Sequence, residues 1–196
     1  MKPQRGLTLI ELIVTMAVVA IVLFAVIPDI GAWTRNSQVR NAMDEIHAGL
    51  EKARNEAVKR NHTVQFTLVS LADPKNVDNS CAPSSSSASW VVSLSDPTGA
   101  CGNDSTVAPF VFSSYAAAQG SSKVSIAATS GGVAATSVTF DGFGRVTSVQ
   151  PIDDIKITYP SSSDTRELHV RVTSNGSIRT CDMGVSDSND PRYCPP

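Results

Sequence analysis

The chain has 196 residues, a formal net charge of −2, and 17% charged against 41% hydrophobic residues. That length fits one domain with an appendage, and the charge excludes a general attraction to polyanions. Sparse charge with abundant Ser, Thr, Ala and Gly points to a β-rich extracytoplasmic domain with polar loops and away from a charged cytosolic enzyme.

The first predicted element is apolar. Leu7 to Ile27 matches the roughly 20 residues that a helix needs to cross a hydrocarbon core, and Glu11 is its one formal charge. A carboxylate near the start of a helix suits the helix dipole. The run is long for a secretory signal peptide and no small-x-small cleavage site ends it. Pro28 can kink a helix without ending it. Gly6 followed by Leu7-Thr8-Leu9-Ile10-Glu11-Leu12 resembles the class III prepilin signal of type IV pilins and type II secretion pseudopilins. The resemblance implies that a prepilin peptidase cuts after Gly6 and methylates Leu7, a departure from the usual Phe. It places Glu11 at the fifth mature position, where the family's carboxylate meets the N-terminal amine of a neighbouring subunit. A carboxylate in apolar surroundings is costly until paired, so such a contact can draw the helix out of the membrane and set its register.

A second helical stretch follows. Val39, Met43, Ile46, Leu50, Ala53 and Ala57 recur at spacings of four and three and form one apolar stripe. Glu56 and Arg60 can pair at i,i+4, and Asn61-His62 is the expected end. Alternating runs then predict strands in TVQFTLV, SWVVSL, APFVF, KVSIAA, SVTF, RVTSV, IKITY and ELHVRVT. DGFG (Asp141–Gly144) reads as a hairpin loop between two of them. The Ser- and Gly-rich stretches Asp73–Ala88 and Thr129–Thr136 are loops. The expected parts are a leader at 1–6, a helix at 7–60 with 7–27 transmembrane, and a globular β-domain at 61–196.

Cys81, Cys101, Cys181 and Cys194 show neither CxxC nor zinc spacing. An even count beside a membrane-targeted N-terminus suggests two disulfides in an oxidising compartment. Of three pairings, loop closure favours the two local ones, each contributing on the order of 3 kcal/mol. Four free buried thiols are the other reading.

Catalysis has no foothold in the sequence. His47, His62 and His169 have no second histidine at i+4, and HExxH, GxSxG and the P-loop are absent. The expectation is no enzyme, no cofactor and no metal.

Ala53–Phe66 (ARNEAVKRNHTVQF), Ser137–Val146 (SVTFDGFGRV) and Arg179–Cys181 resemble the GspH/FimT/FimU group of minor pilins and minor pseudopilins. The resemblance is weak over Leu71–Thr136, and the tail is more like the FimT/FimU branch. It implies an α+β type IV pilin fold, with a long N-terminal helix packed on an antiparallel two-sheet β-domain. Some FimT-branch members bind DNA in natural transformation through a Gly-Arg-x-Arg motif. Here the matching positions are Gly176-Ser177-Ile178-Arg179, so Ser177 stands where the first Arg is expected. Arg145, Arg166, Arg171, Arg179 and Arg192 are the candidate DNA-binding residues. From Arg166 to the end, four Arg face Glu167, Asp182, Asp187 and Asp190, so the local net charge is near zero. The resulting expectation is a minor type IV pilin of assembly, priming or the pilus tip. A DNA-uptake pilin that binds double-stranded DNA and a minor pseudopilin of type II secretion are the alternatives. Its partners are other minor and major pilins and the prepilin peptidase. Its place is the inner membrane, with a periplasmic C-terminal domain, and then the pilus.

Overall fold

The computed structural model describes residues 8–160 and 165–195, with 23–30 described by their backbone alone. Helix α1 runs from Leu9 to Arg60. Contacts divide the chain within this helix, into 1–35 and 36–196.

Both ends of α1 follow from local chemistry. The Glu11 N–H lies 3.1 Å from the Thr8 carbonyl and 3.4 Å from its hydroxyl, so Thr8 and Glu11 occupy the positions of a capping box. At the other end Asn61 adopts φ +49°. The His62 N–H then reaches the Ala57 carbonyl at 3.2 Å, and the Asn61 N–H reaches that of Val58 at 3.3 Å. That pair of bonds is a Schellman stop, for which Asn is the usual second choice after Gly. Among the described residues no helical stretch is long and apolar enough to cross a membrane. The expected span at 7–27 includes Leu7 and the side chains of 23–27, which lie outside the described residues.

Among the described residues ten strands follow, in two antiparallel sheets. The first holds β1 (Val64–Ser70), β2 (Ala82–Pro83), β3 (Trp90–Ser93), β4 (Val111–Tyr115) and β7 (Ser137–Phe140). Its path is β2-β1-β3-β4, and β7 also pairs with β1. The Leu68 N–H donates to Thr136 and its carbonyl accepts from Ser84, so β2 continues the β7 edge of β1. The second sheet has the order β10-β9-β8-β5-β6, from Ile178–Asp182, Leu168–Val172, Asp154–Thr158, Ser125–Ser130 and Val133–Ala134.

The helix stripe and the inner faces of both sheets share one core. Val39, Ile46, Leu50, Ala53 and Ala57 meet Phe66, Trp90, Phe140, Ile155, Ile157 and Val170. Each large side chain fully buried there contributes about 1.5–3 kcal/mol. Gly49 permits the closest approach: a Cβ there would lie 2.7 Å from the Trp90 ring and 2.8 Å from that of Phe66. A second, smaller core lies on the outer face of the first sheet. There Val69 and Val91 are covered by the Cys81–Cys101 disulfide with Leu71, Val77 and Val111. For this reason β1 is buried on both faces from Thr67 to Val69, where alternation predicted only one.

Three strand expectations shift. RVTSV contributes only a bridge from Val146 to Phe140. The Val146 N–H turns away to Ser174, and Val149 is 99% exposed. APFVF begins its strand only at Val111, because Phe110 takes φ +59°. The tail forms a full strand, β10, and the two short strands β2 and β6 lie in stretches read as loops.

Candidate functional site

Two regions carry the candidate residues. The first is the start of α1. Gly6 and Leu7 lie outside the described residues. Glu11 sits in the first turn, exposed, and is followed by exposed apolar side chains on every side of the helix. Leu12, Ile13, Val14, Met16, Val18 and Val19 are each more than half exposed. A helix that is apolar all round needs lipid or other helices around it.

The second region is the outer face of the second sheet and the tail folded against it. Alternation sends Leu168, Val170 and Val172 into the core and leaves His169 and Arg171 on the outer face. Cross-strand register then makes rows. Arg179 of β10 faces Arg171 of β9, which faces Asp154 of β8; Cys181 faces His169, which faces Lys156. The Cys181–Cys194 disulfide returns the tail to β10. There Tyr193 bridges Asp182, and the Asp182 N–H donates to the Arg192 carbonyl at 2.8 Å. Both local cysteine pairings are therefore present, and no described cysteine is free.

Four of the five candidate arginines already face a carboxylate. Arg171 Nε lies 3.4 Å from Asp154, and its Nη1 donates to the Pro195 carbonyl. Arg166 lies 3.7 Å from the buried Asp182. Arg192 is 2.7 Å from Asp190, whose pKa is pulled down to about 2 by hydrogen bonds from the Arg192 side chain and backbone. Arg145 lies on the turn after β7, bonded to Asp141 at 2.9 Å. Arg179 is exposed and, among the described residues, makes no ion pair. Arg171 and Arg179 thus come together, whereas Arg145 belongs to a turn of the other sheet. The neutralising carboxylates Asp154 and Asp141 were missed in the sequence. The signal for Asp141 was its place four residues before Arg145 around a Gly turn.

His169 is 7% exposed, with both ring nitrogens on carboxylates. Nδ1 is 2.9 Å from both Asp154 oxygens, and Nε2 is 3.1 Å from Glu167, which also holds Lys156 at 2.6 Å. The Asp154 hydrogen bond, assisted by Glu167 and opposed by burial, raises the His169 pKa. A raised folded pKa means that the contribution is complete below the unfolded value of about 6.5 and is lost as pH rises through the folded value. Unfolding midpoints in urea should therefore fall over that window in the native chain, relative to His169→Gln. Parallel pH profiles for the two would contradict this. Among the described residues no His, Cys, Asp and Glu cluster could hold a metal ion.

Against this geometry stand the comparisons with known proteins. Residues 42–176 match the family described as type II transport protein GspH, and residues 1–27 match the prokaryotic N-terminal methylation motif. The chain belongs to the GspH family. In fold, this GspH-family chain is similar to the type IV minor pilin FimU of Pseudomonas aeruginosa. One crystal form of FimU gives 15% identity over 80% of this chain and 97% of that chain, with a TM-score of 0.51. A second form gives 15% identity over 76% and 97%, with a TM-score of 0.49. No curated protein matches the chain in sequence. The long helix on a two-sheet β-domain is the pilin fold. Family and fold together make the chain a pilin- or pseudopilin-like protein of the GspH family. They imply membrane anchoring, prepilin peptidase processing and association with other pilins.

Proposed function

We propose that the chain is a minor pilin that acts in assembly of a type IV pilus, in its priming complex or at its tip. The leader is cut after Gly6, Leu7 is methylated, and residues 7–27 hold the subunit in the inner membrane, with the β-domain in the periplasm, until it enters the filament. The observation that carries this reading is the place of Glu11. It is one carboxylate in the first turn of a helix whose other side chains there are apolar and exposed. In hydrocarbon such a group favours any state that offers it a cation, and the methylated amine of a neighbouring subunit is one. Glu11→Ala should leave leader cleavage intact and abolish recovery of the subunit in sheared pili. Normal incorporation of that variant would sink the reading.

The type II secretion alternative has support in the name of the matched family, and the pilus alternative in the FimU fold. The two separate by whether deletion of the gene removes pili or protein secretion. Duplex DNA binding has less support, because four of the five candidate arginines already have carboxylate partners. Phosphate binding scales with the cations left unneutralised.

A further inference from the structure

The tail and the outer face of β9 and β10 enclose a cleft of about 300 Å³. Its walls include Arg171, Arg179 and Ser177 on the sheet side and Pro191, Tyr193 and Pro195 on the tail side. We infer that this cleft receives a carboxylate side chain of a neighbouring subunit, held by Arg179 and flanked by the apolar tail.

Register supplies the first reason. Arg179 and Arg171 are direct cross-strand neighbours, and like charges in that position destabilise a sheet. Arg171 is relieved by Asp154 on its far side and by the Pro195 carbonyl. Arg179 has no such relief among the described residues, and it stands on the edge strand, exposed. The pair of guanidinium groups therefore has an intrinsic carboxylate for one member only, and a guest carboxylate completes the row.

The shape of the cleft supplies the second reason. Its volume is at the lower end for a binding pocket, enough for one side chain and its flanks. The wall opposite Arg179 is two prolines and a tyrosine, anchored by the Cys181–Cys194 disulfide and the Asp182–Tyr193 bridge. An aromatic and proline wall beside one guanidinium suits an acidic residue set among apolar ones.

Charge decides against a polyanion. Arg166 and Arg192, the other two tail arginines, are committed to Asp182 and Asp190. One free guanidinium releases about one counterion on meeting DNA, which gives neither tight nor steeply salt-dependent binding. One carboxylate needs only one guanidinium, which can grip it with two parallel bonds. An exposed pair of this kind adds at most about fivefold to affinity. That is enough to favour one orientation within a filament, where neighbours are held at high effective concentration.

The neighbouring-subunit part of this inference rests on the assembly reading; the carboxylate part does not, and the test separates them. The probes are the blocked peptide Leu-Glu-Leu, its Leu-Gln-Leu counterpart, and a DNA duplex, each titrated into the full processed chain in detergent while NMR follows Arg179 and Tyr193. The Glu peptide should shift both residues saturably and bind about fivefold tighter than the Gln peptide, the limit for an exposed ion pair. Arg179→Gln should erase that difference, and Glu11→Ala should leave it unchanged even if assembly is lost. Equal binding of the two peptides, or no shift at either residue, would overturn the inference. So would displacement of the Glu peptide by the duplex with a steep salt dependence, in favour of phosphate.

Discussion

Gly176→Ala should lower the unfolding free energy by about 3 kcal/mol or more, as the sum of backbone strain and overpacking. Gly176 has φ +80°, a conformation that costs a residue with a Cβ about 1–2 kcal/mol. The new methyl would also fall on the carbonyl oxygen of Gly144. Gly144 has φ +75° and sits at the equivalent point of the turn after β7. The two turns are built alike. In one, the Asp141 N–H reaches Arg145 at 2.9 Å and the Gly144 N–H reaches Asp141 at 2.8 Å. In the other, the Thr173 N–H reaches Ser177 at 3.0 Å and the Gly176 N–H reaches Thr173 at 2.8 Å. Both are three-residue hairpin loops with a left-handed Gly in the last place. They dock Gly against Gly where the two sheets meet, and Arg54 of α1 donates to the Gly144 carbonyl at 3.3 Å. Relief by movement would have to break that bond or the 3.1 Å bond from Val146 to Ser174. Denaturant unfolding of the variant is the measurement. A loss of no more than about 2 kcal/mol, the most that the backbone alone would cost, would mean that the turns separate freely.

This contact also shows what the sequence could and could not convey. Gly176 was visible as the first residue of a half-kept motif. Its structural reason lies in Gly144, 32 positions earlier, which no local pattern connects to it. The elements that depend on their own side chains were legible. Spacing found the stripe from Val39 to Ala57, Asn61 marked the helix end, and the positions of Cys81, Cys101, Cys181 and Cys194 favoured the pairings that form. Pairing between strands was not legible in the same way. Asp154 neutralises Arg171 because register sets them opposite, and alternation within either strand is blind to that. The same limit explains RVTSV, whose alternation is that of a strand although the Val146 N–H goes to Ser174 of the other sheet's hairpin. Among the tail arginines, the residue types raised a nucleic-acid reading, and carboxylate partners leave Arg179 alone of the four without an ion pair among the described residues.

The other large effect concerns the Cys81–Cys101 disulfide. A Cys81→Ser/Cys101→Ser variant should lose about 4 kcal/mol, within the usual range for a disulfide in a small secreted domain. The cross-link spans 20 positions, for which loop closure alone gives about 3 kcal/mol. The remainder comes from what the loop covers. Cys81 and Cys101 are 4% and 2% exposed and pack on Val69 and Val91 in the smaller core. Between the two cysteines β2 and β3 are held by their own ladders to β1 and β4, and the ends of the loop are tied by bonds such as Gly99 N–H to the Cys81 carbonyl at 3.1 Å and Gly102 N–H to the Asn79 side chain at 2.9 Å. Without the cross-link, the outer face of β1 and β3 would be uncovered, and hydroxyls would replace sulfur against apolar neighbours. The Cys181–Cys194 bond spans 13 positions, and its loop-closure contribution is nearly the same, about 3 kcal/mol. It caps a polar face, so its removal should cost less and should chiefly free the tail. Comparing the two double variants by denaturant unfolding separates chain entropy from covered core. Equal losses would show that loop closure alone sets both.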